Sequence, residues 1–484
     1  MSFIPPYPKP HKSKSSFLLR FVRGWNSWLD VLFERSYRMK MGHYRQPGLD
    51  VYMVNEPCWV RRILVEKPKE YPKHQLMHRM LEPLLGESIF TTNGEVWARQ
   101  RRIMDQAFEQ ARLKLVFPLM QASVDDMLVR LDRVADGSSY EVDGEMTYVT
   151  ADIIFRTILS EHLAEKDARA IYEAFIEFQQ HALRALVLMM YRLPAWFSRR
   201  ASEKCARRIR AVLAEIIARR YTARERGEAD DRPDILGAMM EAVDPVQGDR
   251  FSYEEMVDQI CMLFLAGHET SASSLTWTLY LVSNDQDLQQ RLAQEIDQVV
   301  GNRPFEFSDI KKMRLVWDTF REALRLYPPV GFFSREATST HCIRDKEVPD
   351  GSPVLVSPWL IHRHEKLWER PTEFDPDRFA TDSGQESLKN AYLPFSMGPR
   401  VCIGAAFATQ EAVLILAGIL RRYRVDADPN HTPQTVGRVT IRSDNGIRVR
   451  LTPRNGATVT GPGAAGNARA IDPGQQPAGQ SQAE

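Results

Sequence analysis

The chain has 484 residues, 43% of them hydrophobic and 26% charged; this is enough to bury a large core and too apolar for a disordered chain. Its 64 Lys and Arg balance 63 Asp and Glu to leave a net charge of +1, so no global field draws it to phosphate backbones, and nucleic acid is excluded as a primary partner. The five cysteines are odd in number, far apart and never spaced C-x-x-C, which excludes a disulfide framework, a zinc ribbon and an iron–sulfur cluster and fits a reducing compartment.

In chain order, the apolar residues from Phe17 to Phe33 are broken by Arg20, Arg23, Asn26 and Asp30. They fall short of the about twenty apolar residues of a spanning helix and lack a secretory signal. The expectation is a cytoplasmic monomer without a transmembrane segment, with weak membrane association through an amphipathic first helix as the alternative. A strand is expected near Leu49–Val54 and a helix over Glu56–Glu66. Amphipathic helices follow over Glu95–Arg112, Val116–Val134, Thr150–Leu159, Glu165–Leu188 and Ser202–Arg226. Ser252-Tyr253-Glu254-Glu255 is a capping box, and no proline interrupts the chain before Pro304. One helix over Ser252–Asn284 would span about 50 Å. Its middle, Ile260 to Ala266, is apolar on every side and calls for burial all round.

Helices over Asp285–Val300 and Asp309–Tyr327 come next, the second stopped by Pro328-Pro329. A β-hairpin is read over Cys342–Val348 and Pro353–Ile361 about the Pro349-Asp350-Gly351 turn. A helix from Ile403 to about Tyr423 and short strands near Val436–Ile441 and Gly446–Leu451 complete the body. The fold class is mainly α with a small β region (α+β). Residues 1–48 are expected to form an N-terminal extension with the first helix, 49–452 one folded unit, and 453–484 a Gly-, Pro-, Ala- and Gln-rich disordered tail.

Cys402 sits where an irregular loop hands over to an apolar helix. A thiolate there meets unpaired N–H groups and the positive end of the helix dipole, with Arg400 two residues away, and all three favour the ionised, metal-binding sulfur. Gly398 and Gly404 let backbone lie against something large and planar, and Phe395 packs on the same object. A lone cysteine in this setting is more often structural. The full string F-x-x-G-x-R-x-C-x-G, Phe395 to Gly404, fixes five positions in ten. It resembles the haem-thiolate loop of the cytochrome P450 family. That resemblance implies haem b as cofactor, with Cys402 as the iron ligand, lying between a long central helix and the cysteine-loop helix.

Within the long helix stands Ala266-Gly267-His268-Glu269-Thr270. An acid beside a hydroxyl in an apolar run is costly unless hydrogen-bonded or used. Gly267 weakens the helix and opens room beside it, and a Thr hydroxyl takes over a backbone bond from the preceding turn. The string is similar to the family's A-G-x-[DE]-T, which implies catalytic roles in O2 activation for Thr270 and proton relay for Glu269; His268 occupies the variable position and is given no role.

Glu322 and Arg325, with Arg378 in Phe374-Asp375-Pro376-Asp377-Arg378-Phe379, are similar to the family's E-x-x-R and F-x-P-x-R segments. The resemblance implies a buried structural network rather than catalysis. Two haem carboxylates need donors and positive charge. By family position these are Trp97, Arg101, Arg335 and Arg400, although Trp97 is also a fair core residue and the Arg-rich run a fair solvated face. The resemblance also implies that Met262, Ala266, Val330 and Phe332 face an apolar substrate, with a roof from Tyr71–Phe90 and Ala182–Tyr191.

The resemblance covers about Leu49 to Leu451 and implies a monooxygenase that inserts one oxygen atom from O2. With no Gly-rich phosphate loop in the chain, electrons come from a separate ferredoxin or flavodoxin with its NAD(P)H-dependent reductase. Arg99, Arg101 and Arg102 are candidates to steer it. The competing readings are a haem-thiolate isomerase, desaturase or peroxygenase and, from another class, a non-catalytic haem sensor or ligand-binding protein. The acid–alcohol pair favours O2 over peroxide alone.

Overall fold

The computed structural model describes residues 3–13, 16–46, 49–162, 165–228 and 232–454. Helix α1 (Phe17–Gly24) leads into β1 (Met41–Gln46) and β2 (Leu49–Val54), an antiparallel pair. After α2 (Pro57–Arg61) and a wider turn over Arg62–Glu66 come α3 (Gln75–Leu85), α4 (Gly94–Ala107) and α5 (Gln110–Asp132). Strand β3 (Ser139–Glu141) precedes α6 (Val142–Leu159), α7 (Glu165–Met190), α8 (Trp196–Glu225) and α9 (Ile235–Glu241).

Helix α10 (Tyr253–Ser283) is the expected long helix. Ser252 Oγ accepts from the Glu255 N–H at 3.2 Å, and the Glu255 carboxylate accepts from the Ser252 N–H at 2.9 Å, so two of the orphan donors at its start are satisfied. It packs against α3, α6, α8, α12 and α15, the last two introduced below, which explains why its Ile260–Ala266 stretch is apolar on every side.

Helix α11 (Gln286–Val299) follows, and then the chain departs from expectation. The Asp309 carboxylate turns back onto the Glu306 N–H at 2.9 Å and onto Arg303 at 2.6 and 2.7 Å, so only a short 3-10 turn forms at Phe307–Asp309. Helix α12 (Arg314–Leu326) starts afresh, its Leu315 and Val316 N–H groups capped by Glu295 at 2.8 and 3.0 Å.

The expected hairpin is also regrouped. Strands β4 (Phe333–Glu336), β5 (His341–Ile343), β6 (Lys346–Val348) and β7 (Pro353–Val356) are present, but β5 pairs with β6 through a turn at Arg344-Asp345. Strand β7 instead lies between β2, parallel, and β4, antiparallel. Its Val354 and Val356 are fully buried in a second core beneath this four-stranded sheet, which draws the strand away from its sequence neighbour.

Helices α13 (Pro358–Ile361), α14 (Asp382–Ala391) and α15 (Ala405–Arg422) and strands β8 (Tyr423–Ala427), β9 (Thr435–Gly437), β10 (Ile441–Ser443) and β11 (Arg448–Pro453) finish the chain. Pro453 belongs to β11, and the expected tail from 455 onward lies outside the described residues. The N-terminal segment is tied to the body: the Tyr327 hydroxyl donates to the Pro6 carbonyl at 2.5 Å, and Phe3 bridges to Phe374. No helix among the described residues is long and apolar enough to cross a membrane.

Candidate active site

The loop from Phe395 to Cys402 closes on itself where the Cys402 N–H donates to the Phe395 carbonyl at 2.9 Å. Gly398, at φ +73°, is needed for contact with protein: a Cβ there would stand 2.1 Å from the Leu64 carbonyl oxygen. Gly404 differs, because a Cβ there would meet nothing within 4 Å. The Cys402 side chain is exposed, within the fold, to a cavity of about 500 Å3 that it helps to line. Burial pushes its pKa up, against the Gly404 N–H and the Arg101 guanidinium, which draw it down. Arg101 thus exerts the electrostatic effect expected of Arg400.

Phe395, Gly404, Thr270, Glu269, Met262, Ala266, Val330 and Phe332 share this cavity with Cys402. Both expected roof segments line it too, Leu81 and Leu85 from α3 and Leu186 and Met190 from α7 among them. The site is therefore a chamber between α10 and the cysteine loop, apolar over most of its wall.

Along α10, the Thr270 hydroxyl donates to the Ala266 carbonyl at 2.6 Å, a bond back to the preceding turn made within an uninterrupted helix. Gly267 does not open a notch on its packed side. A Cβ there would lie 2.5 Å from Ile154 Cδ1, so the glycine permits close approach of α6. His268 is a core residue, stacked on Phe264 at 4.5 Å and with its Nδ1 donating to the Phe264 carbonyl at 2.7 Å.

Glu269 is buried and fully engaged. Arg442 donates to both its oxygens, at 2.7 and 2.6 Å, Thr440 to Oε1 at 2.6 Å, and Gln179 to Oε1 at 3.0 Å. Burial pushes this carboxyl up, but Arg442 and the other donors outweigh it and hold it below the usual carboxylate value. In this arrangement Glu269 is an ionised acceptor, and relaying a proton requires it to leave Arg442.

Four cations gather at the cavity edge. Arg335 on β4 is 6% exposed and bonds only the adjacent Ser334 carbonyl, at 3.0 Å. Arg400 donates to Thr92 and Asn93 at 3.0 and 2.8 Å and lies 4.2 Å over the Trp97 ring. Arg101 pairs with Asp105 at 2.7 Å and donates to the Val401 carbonyl at 2.7 Å. The fourth, Lys73, was not anticipated; its ammonium rests on the Ile89 and Phe90 carbonyls. Nothing local in its sequence marks it, because a lysine before α3 reads as an ordinary surface residue.

These charges repel one another. Burial first, then Arg400, Arg335 and Arg101, hold Lys73 well below its ordinary pKa; burial, then Arg335 and Arg101, lower Arg400 to about 9, and burial lowers Arg335 to about 10. Of the four, Arg101 is the one paired with a carboxylate, so the cluster lacks counter-charge. A flat group with two carboxylates and a central metal, bound with its acids here and its metal at Cys402, would supply it. The residues fit haem.

The structure brings Glu322, Arg325 and Arg378 together. Glu322 takes both prongs of Arg325 at 2.8 Å and Arg378 Nε at 2.8 Å, and all three are buried away from the cavity. Arg325 also donates to the carbonyls of His362, Pro371 and Glu373, which clamps the segment leading into the cysteine loop. By contrast, Arg99 is engaged by Asp249 and Glu255, and Arg102 by the buried Asp244 at 2.6 and 2.9 Å. These two hold α4 to the segment before α10 and are not free to steer a partner.

Comparison with known proteins agrees with the geometry. The family model for cytochrome P450 matches residues 25–445. Cyclooctatin synthase of Streptomyces melanosporofaciens is 31% identical over 388 residues, covering 78% of this chain and 81% of the relative. Cytochrome P450 72A15 of Arabidopsis thaliana is 31% identical over 79% of this chain and 75% of its own. Pentalenene oxygenase of Streptomyces avermitilis is 28% identical over 83% and 88%. The chain belongs to the cytochrome P450 family, as an α-rich haem-thiolate monooxygenase that binds haem b.

Proposed function

We propose that the chain hydroxylates an apolar organic substrate held between α10 and the cysteine loop, with Cys402 as the iron ligand. The observation that carries this reading is the Cys402 sulfur facing the same apolar cavity as Thr270, with a cluster of cations at its edge. The oxidising power belongs to haem b, which activates O2 so that one oxygen atom enters substrate and the other leaves as water, with two electrons and two protons consumed.

The chain's own residues bind, orient and exclude water. Arg101, Arg335, Arg400 and Lys73 hold the haem carboxylates, with Trp97 packed beneath Arg400. Phe395 and Gly404 bound the haem pocket near the sulfur. Met262, Ala266, Val330 and Phe332 hold the substrate body dry. The Thr270 hydroxyl, tied to Ala266 and open to the cavity, hands on protons. Glu269 contributes to proton delivery once released from Arg442. Electrons arrive from a ferredoxin or flavodoxin with its reductase, since the chain carries no flavin- or nicotinamide-binding motif of its own.

The test is a screen of apolar compounds against the loaded protein, read by the haem absorption band, followed by turnover under labelled oxygen. A spin-state shift and label in the product are expected. A substrate that is turned over without label, with oxygen from water or none at all, would overturn the reading.

A further inference from the structure

Helix α1 is turned against its own composition. Leu18 is 70% and Val22 61% exposed, whereas Arg20 between them is 8% exposed and faces the cavity. Hydrophobic burial alone would rotate this helix the other way, and a guanidinium keeps its charge in any surroundings. Burying it is costly unless an anion and hydrogen-bond acceptors meet it. Neither condition is satisfied. Arg20 Nε and Nη1 are buried without a hydrogen-bond partner, and no carboxylate among the described residues pairs with the side chain.

The cavity supplies no counter-charge of its own. Glu269 is the one carboxylate among its lining residues, and Arg442 neutralises it. Nor is Arg20 part of the cluster assigned to the haem carboxylates. Lys73, Arg101, Arg335 and Arg400 act on one another, whereas Arg20 acts on Tyr44 of β1 and Tyr191 at the end of α7. The chamber therefore has two positive ends, one at the cysteine side and one under α1, with apolar wall between them.

We propose that the substrate is an amphipathic acid, its carboxylate gripped by Arg20 between Tyr44 and Tyr191 and its apolar body extending toward Cys402. The inference rests on the monooxygenase reading and adds the substrate class to it. Two parallel N–H donors match a carboxylate in a way that neither an alcohol nor an ester reproduces. Anchoring the acid under α1 leaves carbons remote from the carboxylate nearest the sulfur, so oxidation falls on that distal part.

The test compares acid and alcohol of the same skeleton, dodecanoate with dodecanol and abietate with abietol. Calorimetry reads affinity on the full-length protein, and the haem band reads displacement at iron. The intact protein should bind the acid of at least one pair about tenfold or more tightly than its alcohol. Arg20→Met should abolish that preference while leaving alcohol affinity within about twofold, and Arg20→Lys should retain part of it because charge survives without the fork. Equal affinity for acid and alcohol in both pairs would overturn the proposal, as would an Arg20→Met variant that weakens both alike. The calorimetric comparison does not depend on haem. A protein with normal thiolate-type spectra and no acid preference contradicts this inference alone, and one without such spectra contradicts the function proposed above.

Discussion

The Glu269 carboxylate and the Arg442 guanidinium face each other as a two-pronged pair, 2.7 and 2.6 Å apart, with Glu269 only 1% exposed. The pair joins the centre of α10 to the β9–β10 hairpin across 173 positions of sequence. Removing one member of such a buried pair leaves an uncompensated charge and costs about 3–5 kcal/mol. Glu269→Gln and Arg442→Met should each lower the denaturant midpoint, and the double variant should lose clearly less than the sum of the two. Strictly additive losses would show that the pair is not coupled.

Glu322 offers a parallel case remote from the chemistry. Glu322→Gln keeps the shape but takes away the charge that faces Arg325 and Arg378, with a cost again of about 3–5 kcal/mol. Because Arg325 clamps the segment entering the cysteine loop, the variant should fold poorly and take up little haem. Absorbance per mole of purified protein checks this, and full haem content would contradict it.

Glu411 on α15 is fully buried, and neither of its oxygens makes a hydrogen bond of good geometry, the Ser271 hydroxyl being the polar group that acts on it. Burial pushes its carboxyl from 4.5 up to about 8, against a downward pull from the Ser271 hydroxyl. Below pH 4.5 the folded and unfolded states both hold the proton. From there to about pH 8 the unfolded state has released it while the folded state has not, so this group lowers stability progressively across that window and adds no further slope above it. Glu411→Gln should match the parent below pH 4.5 and melt at a higher temperature near pH 8. Melting curves that stay parallel across the window would refute the assignment.

The Thr270 hydroxyl bonds its own helix and faces the cavity. Thr270→Val keeps nearly the same volume and removes one hydroxyl, whose bond to Ala266 is worth about 1 kcal/mol of stability. Haem content should be unchanged while product formed per electron pair consumed falls. Unchanged coupling would remove Thr270 from the proton path.

What was legible in the sequence is local. The capping box at Ser252 and the apolar run of α10 are written in neighbouring positions and form as expected, and the ten-residue cysteine string is likewise local and makes the loop that leads into α15. The partners of Glu269 and Glu322 are set by long-range pairing. The later family segment pointed to Arg378, but no local pattern points to Arg442. Lys73 and Arg20 look like surface residues because burial is not written in their neighbours. Gly267 and Gly398 were read as making room for chemistry, whereas Ile154 and Leu64 occupy the space beside them. Strand β7 left its sequence neighbour because pairing in the larger sheet buries Val354 and Val356. The steering role read for Arg99 and Arg102 failed because Asp244, Asp249 and Glu255 lie some 140 to 156 positions away and take up both charges.

The most direct measurement is the absorption spectrum of the reduced, carbon monoxide-bound protein, recorded for the parent and for Cys402→His. The parent should give the strongly red-shifted band of thiolate-ligated haem. The variant should give the imidazole-type band or bind no haem at all. An imidazole-type band from the parent, or a thiolate-type band that survives loss of Cys402, would contradict the account.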